Sequence, residues 1–278
     1  MQVKIKQLNT KWIYVGALSA VLLILLTVAL CLPREKEHPH LQVIPTTTSS
    51  TEATLPTIEK NPYGPWDFQY DGKYLTCLAG QSVLGIDVSS HQQEVDWKQV
   101  ADAGIRFVML RVGYRGYETG EIQPDAMAQK NYLGAKQAGL KIGAYFFSQA
   151  VSESEAIEEA EFVLTSIKDW QLDMPVVYDW EYIDAEARTG QMDARAVTDY
   201  TLAFCRRIET AGYQPMIYFN RHQAQDFLYL EELTDYPFWL AMYSDRMTYP
   251  NKVDMWQYTD QGRVPGVEGN VDINLLLP

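Results

Sequence analysis

Four acidic residues sit where a globular chain seldom puts them. Asp87 lies inside the apolar run VLGIDVS (83–89), Asp179 and Glu181 end the run VVYDWEYID (176–184), and Asp272 lies inside VDINLLL (271–277). Asp and Glu are almost never fully buried unless paired, so one such acid is most often a salt-bridged structural residue. Four of them, brought to one place, point to chemistry. Asp179 and Glu181 are two residues apart, which on a strand puts both side chains on one face. Like charges that close are costly unless one group keeps its proton. Two carboxyl groups with separated pKa values are what glycosidic cleavage uses. One protonates the leaving oxygen, and the other stabilises, attacks or activates water. Clustered carboxylates also hold hard cations, but His91 and His222 each follow an apolar run singly, with no partner at a ligand spacing. Neither a metal nor an organic cofactor is expected.

The elements that would position these acids form a regular series. Short apolar runs predict strands over 83–89, 106–113, 141–147, 175–180 and 215–220, and helices are predicted over 96–104, 124–138, 152–170 and 193–211, with a short one after 220. Asp96 and Ser152 suit helix starts, Ser152 with Glu155 as a capping box, and Gly104, Gly139 and Gly212 suit helix stops. The alternation then ends, and 237–243, 252–258 and 271–277 read as three strands joined by loops. Strands alternating with helices imply parallel pairing with helices outside. The expected fold is α/β: an irregular TIM-like barrel of five βα units followed by three strands. An open doubly wound sheet is the alternative. In a parallel barrel the site lies at the C-terminal strand ends, and strand eight, carrying Asp272, would close against strand one, carrying Asp87. Tyr145, Tyr178, Tyr218, Trp239, Trp256 and Tyr258 fall late in strands, where they would either stack on sugar rings or pack in the core. Gln257 alternates with Trp256 and Tyr258 and so points the other way, free to hydrogen-bond a sugar.

The 278-residue chain has a net charge of −13 and no basic run. That argues against nucleic-acid binding. No glycine-rich phosphate loop follows a strand. Residues 12–32, WIYVGALSAVLLILLTVALCL, contain no charge and are long enough to span a bilayer. Lys4, Lys6 and Lys11 precede them, which orients the C-terminal body outward. The predicted order is a cytoplasmic tail (1–11), a single-pass transmembrane anchor (12–32), a disordered Pro/Ser/Thr-rich stalk (33–62), an aromatic extension packed on the barrel (63–82) and the barrel itself (83–278). A cleaved signal peptide is the competing reading, but its apolar core is usually shorter and no small-x-small site follows Leu30. Cys77 and Cys205 fall in the outward body, where a disulfide could persist. Spacing alone leaves their pairing open.

The segments LGIDVSSHQQEVDW (84–97), RFVMLRVGY (106–114), GAYFF (143–147), PVVYDWEY (175–182), MIYFN (216–220), FWLAMY (238–243) and MWQYTDQGRVPGVEGNVDIN (255–274) resemble, in order and spacing, glycoside hydrolase family 25, the Chalaropsis-type lysozymes or N-acetylmuramidases. The resemblance covers roughly residues 83–278. It implies cleavage of the β-1,4 bond between N-acetylmuramic acid and N-acetylglucosamine in peptidoglycan. Taken with the anchor, the expected protein is an outward-facing, monomeric muramidase of a Gram-positive-like bacterium. Carried over by position, Glu181 would be the general acid and Asp179 its partner, as nucleophile or as the group orienting the substrate's N-acetyl. Asp87 and Asp272 would complete the acidic site, and Tyr145, Tyr218, Trp239 and Gln257 would line the sugar groove. One departure is visible: the family usually has Gly after SHQ, where this chain has Gln93. A non-catalytic peptidoglycan tether and a glycosidase of another polysaccharide are the competing functions.

Overall fold

The computed structural model describes residues 56–278. The tail, the span at 12–32 and the stalk up to residue 55 lie outside the described residues. Among the described residues no helix is long and apolar enough to cross a membrane. In chain order the elements are β1 (Phe68–Asp71), β2 (Tyr74–Cys77), β3 (Val83–Val88), α1 (Trp97–Asp102), β4 (Phe107–Arg115), β5 (Ile122–Pro124), α2 (Ala128–Gln137), β6 (Lys141–Ser148), α3 (Glu153–Ile167), β7 (Val176–Trp180), α4 (Ala194–Thr210), β8 (Pro215–Asn220), α5 (Arg221–Asp226), β9 (Phe238–Ala241), β10 (Met255–Gly262) and β11 (Val271–Leu276).

Eight strands close a barrel in the order β3, β4, β6, β7, β8, β9, β10, β11 and back to β3. Every pair from β3 to β10 is parallel, but β11 runs antiparallel to both β10 and β3. This separates the fold from an all-parallel barrel and moves Asp272. It is the second residue of β11 and reaches the mouth only because that strand is reversed, placing it in register with Asp87. The short β5, not expected from the sequence, pairs with the end of β4.

Alternation divides the barrel strands into two sets. Phe107, Met109, Val177, Met216, Trp239 and Met255 fill the interior. Val108, Leu110, Val176, Tyr178, Ile217 and Trp256 face the helices and the outer core. Gly85 is required where it stands, since a Cβ there would lie 2.3 Å from the Phe107 ring. Three helices start as the sequence suggested: Asp96, Ser152 and Asp193 each accept a main-chain N–H three residues on, whereas the helix expected from 124 begins at Ala128, because Pro124 ends β5. The capping box at α3 is altered, because the Glu155 side chain accepts from Val151 N at 3.0 Å and not from the Ser152 amide. The helix dipole still gains an acid in its first turn.

The extension forms the β1–β2 hairpin. Its buried face, Phe68, Leu75 and Cys77, covers the outside of the barrel, with Phe68 edge-on to Trp256 at 5.1 Å. Order begins before residue 63. Lys60 bridges to Asn251, and Lys252 N donates to Glu59 O at 2.8 Å. The stalk's end, set at residue 62 by composition, is therefore already bonded to the barrel: polar residues were read as unstructured when their main chain finds a partner. Cys77 and Cys205 are both buried free thiols.

Candidate active site

The strand ends at the barrel mouth enclose a pocket of ≈ 240 Å³. Asp87, Asp179, Glu181, Asp272, Tyr145, Tyr218, Trp239 and Gln257 all line it. Among the described residues, no group of three or more His, Cys, Asp or Glu side chains is arranged to hold a metal ion.

Asp87 is buried beneath the mouth. Its Oδ2 accepts from Gln257 Nε2 and from Asn274 Nδ2, both at 2.8 Å. Asp272 stands opposite it in register, and two carboxyls that close are favoured with a proton on one of them. Asp272 is the holder: burial and the neighbouring Asp87 charge push it up to about 8. Burial raises Asp87 too, but the amides of Asn274 and Gln257 pull it back toward the ionised form.

Asp179 closes the inward row of β7, and Glu181 follows just past the last strand residue. Burial, then the charges of Glu181 and Asp87, raise Asp179 well above the carboxylate range. Its Oδ1 is buried with no hydrogen-bond partner, a costly state for a polar atom. Glu181 is half-buried and is raised to about 7 by desolvation first and by Asp87 second. The two titrate as a coupled pair, and at neutral pH the pair retains a proton. Glu181 is the more accessible of the two, where a leaving oxygen can reach.

The structure changes the assignment of several neighbours. Gln257 does point inward, but both ends of its carboxamide are taken: Oε1 accepts from Tyr218 OH at 3.0 Å and Tyr243 OH at 3.3 Å, while Nε2 holds Asp87. It orients an acid and is not a free sugar contact. Trp239 is 1% exposed and donates from Nε1 to Asn274 Oδ1 at 2.9 Å, so it forms the pocket floor and offers little face for stacking. Tyr178, Trp256 and Tyr258 point out of the barrel, as their alternation with Asp179 and Gln257 requires. Tyr178 instead packs on Phe204 and bonds Ser148.

Sequence reasoning missed Tyr243 and Arg111. Tyr243 stands at the rim, 56% exposed, where an aromatic face can meet a sugar ring. Arg111 enters the pocket from β4, paired to buried Asp125 at 2.9 Å. It is a nearby cation that counters the rise of Asp179. The signal for Arg111 was its position: a charge in the apolar run RFVMLRVGY.

The family model "Glycosyl hydrolases family 25" matches residues 86–267. The chain is 30% identical over 208 residues to the uncharacterized protein YegX of Escherichia coli K12, covering 71% of this chain and 70% of that protein. It is 29% identical over 194 residues to an autolytic lysozyme of Clostridium acetobutylicum, covering 68% of this chain and 54% of that protein. Among solved structures, it superposes with a TM-score of 0.61 and 26% identity on the modular autolysin LytC from Streptococcus pneumoniae in complex with a synthetic peptidoglycan ligand. That match covers 70% of this chain and 46% of LytC. The chain thus spans about half the length of both the autolytic lysozyme and the autolysin.

Proposed function

The chain belongs to glycosyl hydrolases family 25, and from that premise we propose that it is a muramidase cleaving the β-1,4 bond between N-acetylmuramic acid and N-acetylglucosamine in peptidoglycan. The observation that carries this reading is the Asp179–Glu181 pair at the barrel mouth, with Glu181 raised to about 7. Glu181 in its protonated form gives its proton to the leaving glycosidic oxygen. Asp179, with an unpaired buried oxygen turned to the same pocket, serves the anomeric side, by attack in its ionised form or by holding the substrate's N-acetyl. Asp87, beside Asp272 on the acidic floor, supplies the charge that together with burial raises Glu181. Tyr243 offers the exposed aromatic face for a sugar. The test is incubation of purified peptidoglycan with the enzyme and identification of new chain ends by mass spectrometry. Muramic acid at the new reducing ends supports the reading, and binding without new ends favours the tether.

The enzyme acts from the cell membrane, held by the span at 12–32 with its catalytic domain outside. What supports this is the uncharged 21-residue run and the three lysines before it. Recovery of the full-length chain in the soluble fraction of lysed cells would count against it.

A further inference from the structure

Two buried glutamines outside the pocket donate to the main chain on either side of Glu181. Gln223 Nε2 donates to Trp180 O. Gln149 Nε2 donates to Glu181 O at 2.7 Å. These carbonyls belong to the two consecutive peptide units that flank the Glu181 Cα. A peptide unit is planar, leaving φ and ψ as the soft torsions of a residue. Fixing both units therefore fixes φ and ψ of Glu181, and with them the direction in which its side chain leaves the backbone.

Each glutamine is itself held. Gln149 has no exposed surface. Its Oε1 accepts from Thr189 Oγ1 at 2.8 Å and its Nε2 also donates to Ser148 O at 2.9 Å. Gln223, 1% exposed, caps α5 reciprocally: its side-chain Oε1 accepts from Asn220 N at 2.7 Å and its main-chain N–H donates to Asn220 Oδ1 at 3.0 Å. Neither amide can turn away from its carbonyl without breaking a second buried bond. The loop carrying Glu181 is further tied by Arg188, which donates to Gln149 O at 2.7 Å and to both oxygens of Glu155 at 2.8 Å.

We propose that Gln149 and Gln223 are positioning residues for the proton donor, aiming the Glu181 carboxyl from the end of β6 and the start of α5. The need is physical. β7 ends at Trp180, so Glu181 stands on a loop, yet a general acid must come within hydrogen-bond reach of its oxygen. A misplacement of about 1 Å can cost about 100-fold in rate. This inference rests on the muramidase reading, with Glu181 as the donor.

The test uses the full-length chain with Gln149→Met, Gln223→Met and the milder Thr189→Val, which removes only the bond that orients Gln149. Peptidoglycan turnover is measured across pH, with thermal unfolding alongside. The expected result is a loss in kcat of about 10- to 100-fold for the Met variants, with KM held and folding intact. The limb of the pH profile set by Glu181 moves to lower pH as the loosened carboxyl gains water. Thr189→Val gives a smaller loss with a shift in the same direction. Variants with wild-type kcat and an unmoved limb overturn the proposal, as does a loss that tracks only the unfolded fraction. If the wild type itself makes no muramic ends, the muramidase reading falls and this inference with it. If the wild type cleaves and the variants match it, the inference alone falls.

Discussion

Asp272 lies directly opposite Asp87 across the antiparallel seam that closes the barrel, and the neighbouring Asp87 charge, with burial, raises Asp272. Reversal of the last strand is what makes them neighbours. The pair has a cost in stability. In the unfolded chain a carboxyl of this kind releases its proton near pH 4, whereas folded Asp272 keeps it to about 8. The folded state binds the extra proton across that window, so this group's contribution makes stability fall as pH rises from about 4 to about 8 and adds nothing below it. Asp272→Asn supplies a neutral donor without the titration. Denaturant unfolding at about pH 5 and about pH 8 should show a smaller loss for Asp272→Asn than for wild type, by on the order of 1 kcal/mol. Parallel losses in the two proteins would contradict the pairing.

Glu181 is expected to set the alkaline side of the pH–rate profile. Its protonated form is the active one, so kcat/KM should fall as pH rises through about 7. Because the Asp87 charge is part of what holds Glu181 up, residual activity of Asp87→Asn should lose its alkaline limb at lower pH than wild type. The measurement is the pH dependence of initial cleavage rates for both proteins.

Much of this site is legible in the sequence, and the reason is the contrast between residue and context. Asp87, Asp179, Glu181 and Asp272 stood out as acids in strand sequence, and alternation sent Gln257 inward. The same alternation, applied to Tyr178, would have sent it outward, opposite Asp179. Gln149 and Gln223 carried no signal, because an amide that bonds a carbonyl far along the chain looks like any polar residue beside a helix. The β1–β2 hairpin was too short to register as strands, although its aromatic content marked it as packed. The direction of β11 was likewise hidden, since a strand's apolar pattern reads the same in either sense.

Gln93 has φ 53° and ψ −124°, the one left-handed non-glycine among the described residues. It stands where glycine was expected from the family pattern. Such a conformation costs a side-chain-bearing residue roughly 1–3 kcal/mol, partly offset in a glycine variant by the greater freedom of the unfolded chain. Gln93→Gly should therefore raise stability by about 1 kcal/mol with kcat unchanged, read by thermal and urea unfolding. A destabilised variant would show that the bond from Gln93 Nε2 to Ser90 O outweighs the strain.

Arg115 and Glu159 form a buried ion pair at 2.7 Å behind β4. Glu159 has no exposed surface, is raised to about 7 by desolvation and also accepts from Ser148 Oγ at 2.6 Å. Arg115→Met leaves that acid without its cation and should cost about 3–5 kcal/mol. Glu159→Gln keeps a neutral hydrogen-bonding group and should cost less. Urea midpoints in the reverse order would contradict this.

The account stands most directly on Glu181. Full-length wild type and Glu181→Gln should be incubated with purified peptidoglycan at neutral pH, and new reducing ends identified by mass spectrometry. Wild type is predicted to release fragments ending in muramic acid, and Glu181→Gln to do so about 100-fold or more slowly, as expected for loss of a general acid, while remaining folded. New muramic ends at equal rates from both proteins would contradict the account.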